Sequence, residues 1–163
     1  MGNEIAKKYD VSPHHTGLGG NSSLWKIYPA KAKGTGEDVS IFVFKKDEMF
    51  PKSMQSGQKE HILNLLRHDL RTLKTLSHPG ILRVIHVFDE SKKAIAFVAE
   101  PVSCSLADLL LIPRNLLDPQ AARLAASDLA LSAPEKARGA AGLLDALQYL
   151  HQVGRRLHCD LTP

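Results

Sequence analysis

Cysteine is nearly absent. The 163 residues hold only Cys104 and Cys159, far apart and in no metal-ligand spacing. That excludes a disulfide framework and a zinc knuckle, and it points to free thiols in a reducing compartment. Long apolar runs are missing as well. The longest, Ala94 to Ala99, falls far short of the ~18 residues a membrane span needs, and so does Leu109 to Ile112. The first residues lack the apolar core of a secretory signal. There is no internal repeat and no low-complexity tract. Charge of one sign is scarce: +4 net, from 21 Lys and Arg against 17 Asp and Glu, spread along the chain. So mild an excess excludes a nucleic-acid stripe, and no nucleic-acid partner is expected. What remains is an ordinary globular composition, 44% hydrophobic and 23% charged, long enough for one domain with a sizeable core. A cytoplasmic protein is the expectation. The start MGNEIAKK puts Gly2 after Met1, but Ala6 stands where myristoylation wants Ser or Thr. Lys7 and Lys8 would suit an anionic membrane surface, which leaves peripheral association open.

Periodicity supplies the elements. Residues 1–16 are polar and turn-forming, with little pattern. From Gly17 the chain turns glycine-rich, GLGGNSSLWKIY, and Leu24 to Tyr28 reads as a short strand. KAKGTGED, residues 31–38, is a turn, and VSIFVF, Val39 to Phe44, is β-branched and aromatic as a strand should be. Between Lys59 and Leu76 the residues Ile62, Leu66, Leu70 and Leu73 share one helical face, which Pro79 and Gly80 close. Ile81 to Phe88 and Ala94 to Ala99 are two more apolar strands around the turn DESKK. SLADLLL gives one or two helical turns before Pro113, and 121–131 gives an Ala/Leu helix. Residues 113–133 suit an insertion. A strong helix follows Ser132, whose spacing to Glu135 is that of a capping box. Leu143, Leu144, Leu147 and Leu150 are its expected buried face. The order predicts an α+β fold: an antiparallel sheet with one packed helix, then a mostly helical part.

These motifs resemble a protein kinase domain from about Asp10 onward. A glycine-rich turn, a strand of the V-A-I-K type, a leucine-rich helix running into His78-Pro79, an apolar strand ending in Glu100, and LLDALQYLHQVG leading to HCDLTP follow in kinase order. GGNSSLWKIY, VSIFVFKK, LRTLKTLSHPGILRV, IAFVAEPV and SLADLL resemble, more narrowly, the SCY-like family of kinase-related proteins. The resemblance implies an N-terminal extension at 1–16, a small lobe and hinge at 17–102, and the start of a truncated helical large lobe at 103–163. On that reading the chain is a fragment or a truncated gene product, poorly soluble alone. The family implies a degenerate kinase acting as a scaffold in Golgi and endosomal vesicle traffic. Coat and adaptor proteins, some clathrin-linked, would be its partners.

The kinase chemistry is eroded on paper. Phosphoryl transfer is mostly positioning and charge stabilisation. Against G-x-G-x-x-G-x-V the register is Gly20, Ser22, Trp25 and Ile27, so one glycine survives. Gly17 and Gly19 give a second register with a longer hairpin. Phe42 replaces the strand lysine that pairs nucleotide phosphates, and Asp69 replaces the helix Glu. Lys45 points to the opposite face from Phe42, Lys46 lies too far along the strand, and Lys26 on the neighbouring strand is expected to face away. Asp69 is expected to meet solvent or a nearby Arg67 or Arg71. Asp160 stands at the position of the catalytic acid and reads as vestigial, after His158 and with Cys159 and Thr162 for the usual Arg and Lys. Ser40 would roof an adenine pocket, Ala99 would be its small gatekeeper, and Glu100 and Val102 would present backbone groups to the adenine edge. Weak ATP binding is left open, and magnesium is unsupported by these residues. The alternative is a divergent ATP-dependent Ser/Thr protein kinase that uses Asp160 with a relocated lysine.

Overall fold

The structure, a computed structural model, describes residues 3–19, 24–106, 131–159 and 161. Its centre is a hairpin. Strand β3 (Trp25–Ala32) and strand β4 (Asp38–Lys45) pair antiparallel, Ile27 opposite Phe42 and Pro29 opposite Ser40. The turn between them closes on Gly36, whose φ of +73° is a conformation that a side chain disfavours. The Gly36 amide donates to the Ala32 carbonyl at 2.7 Å.

Two short strands line the other edge of β3. Strand β1 (Tyr9–Val11) pairs with Ala30 to Ala32, and β2 (Gly17–Gly19) pairs with Trp25 to Ile27. Residues 1–16 were expected to lack regular structure, yet they supply β1 and a helix, α1 (Asn3–Lys8). Elements of three and six residues are too short to print a period. On the far side β4 pairs with β6 (Ala94–Ala99), and β6 with β5 (Val84–Val87), giving the order β1-β3-β4-β6-β5 with β2 also on β3. β5 is shorter than the predicted strand 81–88, and its register with β6 shifts between Val84 and His86.

The sheet is covered on both faces, so its central strand carries no polar alternation. Val39, Ile41 and Val43 of β4 pack with Tyr28, Val98 and Ile5 of α1 on one face. Phe42 and Phe44 face the other way, with Ile27, Phe97 and Ala99. Helix α3 (Ser56–Thr75) lays Leu63, Leu66 and Leu70 on that second face. Burying each such side chain is worth roughly 1.5–3 kcal/mol.

A charged clasp pins α3 at its side. Arg67 donates through Nε and Nη2 to both oxygens of Glu90, at 2.6 and 2.9 Å. Its Nη1 also meets Glu60 at 2.6 Å and Asn64 at 2.7 Å. Lys46, first residue of the short helix α2 (Lys46–Met49), reaches Glu90 as well, and donates to the Ser91 carbonyl at 2.9 Å. Arg67 therefore serves the turn after β5, not Asp69.

Helix α4 (Ala133–Gln152) starts on the predicted box: the Ser132 amide donates to Glu135 at 2.8 Å, and the Glu135 amide donates to the Ser132 hydroxyl at 3.4 Å. It docks on the turn Ser77–Gly80. His78 Nε2 lies 3.2 Å from Asp145, the His78 ring stacks on Tyr149 at 4.9 Å, and the Ser77 amide donates to the Tyr149 hydroxyl at 3.2 Å. A Cβ on Gly80 would meet the Cβ of Ala146 at 3.0 Å, so glycine permits this approach. Ala146 and Leu150 are buried in the joint. The expected buried face needs correction: Leu143 and Leu144 are 44% and 68% exposed, because the turn covers only the Ala146–Leu150 stripe. The predicted helix 121–131 and most of SLADLLL lie outside the described residues.

Two outcomes follow. Arg67's hydrogen bonds, ahead of those from Lys46, hold the Glu90 carboxyl at about 2 against its ordinary 4.5. A carboxyl lowered in the fold adds stability above its unfolded value and loses it as pH falls through the folded one. Glu48, likewise held at about 2, by Lys26 and then Lys45, titrates in the same window. Glu90→Gln is therefore expected to flatten, not abolish, the fall in melting temperature between pH 5 and 2, and to cost about 1 kcal/mol at neutral pH. An unchanged acid limb in thermal melts would contradict the clasp. Leu144→Glu is expected to raise solubility with a melting-temperature change under about 2 °C, since it removes exposed apolar surface without touching the joint. A drop of 5 °C or more would show that Leu144 is buried.

Candidate functional site

The site predicted from the motifs lies on the α3 face of the sheet, at the end of β6. Phe42 is 7% exposed, and its ring stacks on Phe97 at 4.7 Å with an interplanar angle of 13°. Trp25, the first residue of β3, packs edge-on against Phe97 at 5.1 Å and against Phe44 at 6.0 Å. Offset and edge-to-face pairs of this kind add about 0.5–1.5 kcal/mol each beyond their buried area. Three large rings thus meet where a phosphate-pairing ammonium would stand.

No described lysine takes that place. Strand alternation sends Lys26 to the opposite face, where it pairs with Glu48. Lys45 donates to Glu48 at 2.8 Å, and Lys46 is held by Glu90. Asp69 lies exposed on α3 and lines a groove of about 770 Å³ together with Trp25, Phe97, Leu66, Leu147 and His158. The structure therefore brings Asp69 and His158 to one groove, with aromatic carbon between them and the strand where the lysine would be. Arg156, ahead of His158, donates its amide to the Leu150 carbonyl at 3.0 Å, and its guanidinium lies 3.4 Å from His68. Cys159 takes a φ of +59°, a conformation few non-glycine residues adopt. Asp160, Thr162, Gly20 and Ser22 lie outside the described residues. Gly17 and Gly19, the second glycine register, are strand residues of β2 opposite Ile27 and Trp25.

The hinge end of the site is described in full. Ser40 is 2% exposed and opposite Ala99, which is fully buried. Its hydroxyl accepts the Val102 amide at 2.9 Å. Glu100 is tied backwards: its carboxylate accepts the Arg83 amide at 2.8 Å, and its own amide donates to the Arg83 carbonyl at 3.1 Å. Ile27 completes this wall beside Phe42. The motifs single out Phe42 and Trp25 as departures from the kinase pattern, but they give no sign of Phe97, the ring on which both rest. The Ser40–Val102 bond was missed too, and nothing in the sequence signals it, because the partners are 62 residues apart.

A nucleotide fits these residues poorly. The phosphate end offers carbon in place of a cation, and the hinge amide already has an acceptor. Among the described residues, no group of three or more His, Cys, Asp or Glu could hold a metal.

No family model matches the chain. It is 33% identical to human SCY1-like protein 2 over 163 residues, all of this chain and 17% of that protein. It is 31% identical over 146 residues to the protein kinase domain-containing protein ppk32 of Schizosaccharomyces pombe, covering 85% of this chain and 20% of that one. The chain thus spans about a fifth of the length of these curated relatives. Among solved structures it is similar to Rad53 1-466 in complex with AMP-PNP, at a TM-score of 0.64 and 21% identity over 98% of this chain and 34% of that one. That likeness gives the fold, the small lobe of a protein kinase. Over the stretch it spans, the chain is a SCY-like protein kinase-like domain.

Phe42→Ala is expected to destabilise the fold by about 3–5 kcal/mol, the usual loss for a buried phenyl ring in a packed core. Urea melts measure it. A loss below about 1 kcal/mol would mean that the ring is not part of the core.

Proposed function

We propose that this SCY-like domain works by binding other proteins and not by transferring phosphate. The observation that carries this reading is the Phe42–Phe97 stack, which replaces the cation of a kinase strand with buried hydrocarbon. Moving a charge into that stack is expensive, because an unpaired ammonium loses its hydration without gaining an acid. Trp25 adds a third ring, and Lys26, Lys45 and Lys46 are all paired elsewhere. A rigid, doubly covered sheet with a pinned helix suits a scaffold, whose surfaces must hold their shape without a ligand. By likeness to its family, the scaffold would act in Golgi and endosomal vesicle traffic. It would sit in the cytoplasm or at the membrane edge, with coat or adaptor proteins as partners, including clathrin-linked ones. Among the described residues, no helix is long and apolar enough to cross a membrane.

The second reading is a divergent ATP-dependent Ser/Thr protein kinase. It draws on the HCDL sequence with Asp160 at the catalytic position.

One assay separates the two. The whole protein, given magnesium-ATP and a generic Ser/Thr protein substrate, is expected to transfer no phosphate above background, and Asp160→Asn is expected to change nothing. The same preparation is expected to retain coat or adaptor proteins on a column. Phosphotransfer that Asp160→Asn reduces a hundredfold or more would establish the kinase reading instead.

A further inference from the structure

Away from the site, on the face of the sheet that α1 covers, one histidine is packed with a ring nitrogen left over. His15 lies in the segment joining β1 to β2, half-buried, its ring edge-on to Tyr28 at 5.7 Å. Two backbone bonds hold that segment on β3. The Ser12 amide donates to the Pro29 carbonyl at 2.9 Å, and the Thr16 amide donates to the Ile27 carbonyl at 3.0 Å. Among the described residues, His15 Nδ1 is the one buried side-chain nitrogen or oxygen without a hydrogen-bond partner. A neutral ring can leave a lone pair there and carry its proton on Nε2. A protonated ring puts an N–H in the same place, buried and without an acceptor, which is costly.

The charges around the ring oppose protonation too. Lys26 of β3 and Lys45 of β4 lie on the same face of the sheet, bridged by Glu48 of α2. Both oxygens of that carboxylate are taken: Lys45 donates to Oε1 at 2.8 Å, and Lys26 donates to Oε2. Burial lowers the His15 pKa from its ordinary 6.5, Lys26, Lys45 and His14 lower it further, and Glu48 opposes them. A histidine lowered in the docked state stabilises that state above its free value, and the stability is lost as pH falls toward the docked value. We propose that His15 is a pH-sensitive pin: neutral, it holds residues 12–19 on β3, and protonated, it lets β2 lift from the Trp25–Ile27 edge. The inference is independent of whether the domain binds partners or transfers phosphate.

The test is amide hydrogen exchange on the whole 15N-labelled chain between pH 7.5 and 5, corrected for the intrinsic exchange rate. Glu48, held at about 2, stays charged across that range, so the carboxylate between the lysines does not confuse the reading. In wild type the Thr16 amide is expected to lose protection at least about fivefold relative to the amides of β4 as pH falls. His15→Phe keeps a ring for Tyr28 but cannot take a proton, and its Thr16 protection is expected to stay level. His14→Gln, which alters the exposed neighbour, is expected to retain most of the wild-type fall. Level Thr16 protection in wild type would overturn the pin. So would an equal fall in His15→Phe, or a parallel fall in the β4 amides, which would mean that the whole sheet opens. Should His15→Phe fail to fold, the ring titration of His15 in wild type decides: a midpoint at or above 6.5 overturns the inference, and one below it that coincides with the loss of Thr16 protection supports it.

Discussion

Hydrocarbon sits where a kinase would keep a charge, and much of the molecule follows from that substitution. The Phe42 ring lies flat on Phe97, and Trp25 closes the edge. In a phosphotransferase the strand cation joins the sheet, the helix and the nucleotide through one ion pair. With a phenyl ring there, the sheet and α3 meet through continuous apolar packing instead, from Ile27 to Leu70. Such packing is not directional and needs no ligand to complete it. The site is thereby converted from a place that waits for a partner into a finished core.

Helix α3 illustrates the change. Its inner face is held by Leu63, Leu66 and Leu70, and its flank by the fork of Arg67 on Glu90, two fixed parallel hydrogen bonds. Lys46 joins Glu90 from the end of β4, so one carboxylate ties two helices and a turn. The acid at the kinase position, Asp69, is left out of this arrangement and faces the groove. Anchoring has moved from the nucleotide side of the helix to its outer side. The position of α3 therefore depends on residues on its outer flank, away from the pocket.

The large elements were legible in the sequence because each carries a period or a cap. The 62-66-70-73 spacing, the β-branched run 39–44 and the Ser132–Glu135 box all specify local structure without help from the rest of the chain. α1 and β1 were not legible: a three-residue strand has no period, and its pairing with Ala30 to Ala32 is decided by the sheet. The outward turn of Leu143 and Leu144 was also hidden, since a leucine row marks an apolar face without saying what covers it. In the site, the loss of the lysine could be read from VSIF alone. The partner that fills its place, Phe97, belongs to another strand 55 residues away, and only the β4–β6 register puts it opposite Phe42. The bond from Val102 to Ser40 depends on the same register.

Trp25 is the chain's one tryptophan. Its indole is half-buried, edge-on to two phenyl rings, at the boundary between the sheet and the groove beneath α3. Indole emission shifts with the water around it, so the protein carries an intrinsic fluorophore at the spot where sheet, helix and groove converge. Any event that wets or dries that boundary, whether a protein seating in the groove or α3 lifting from the sheet, is written into a single optical signal that needs no label.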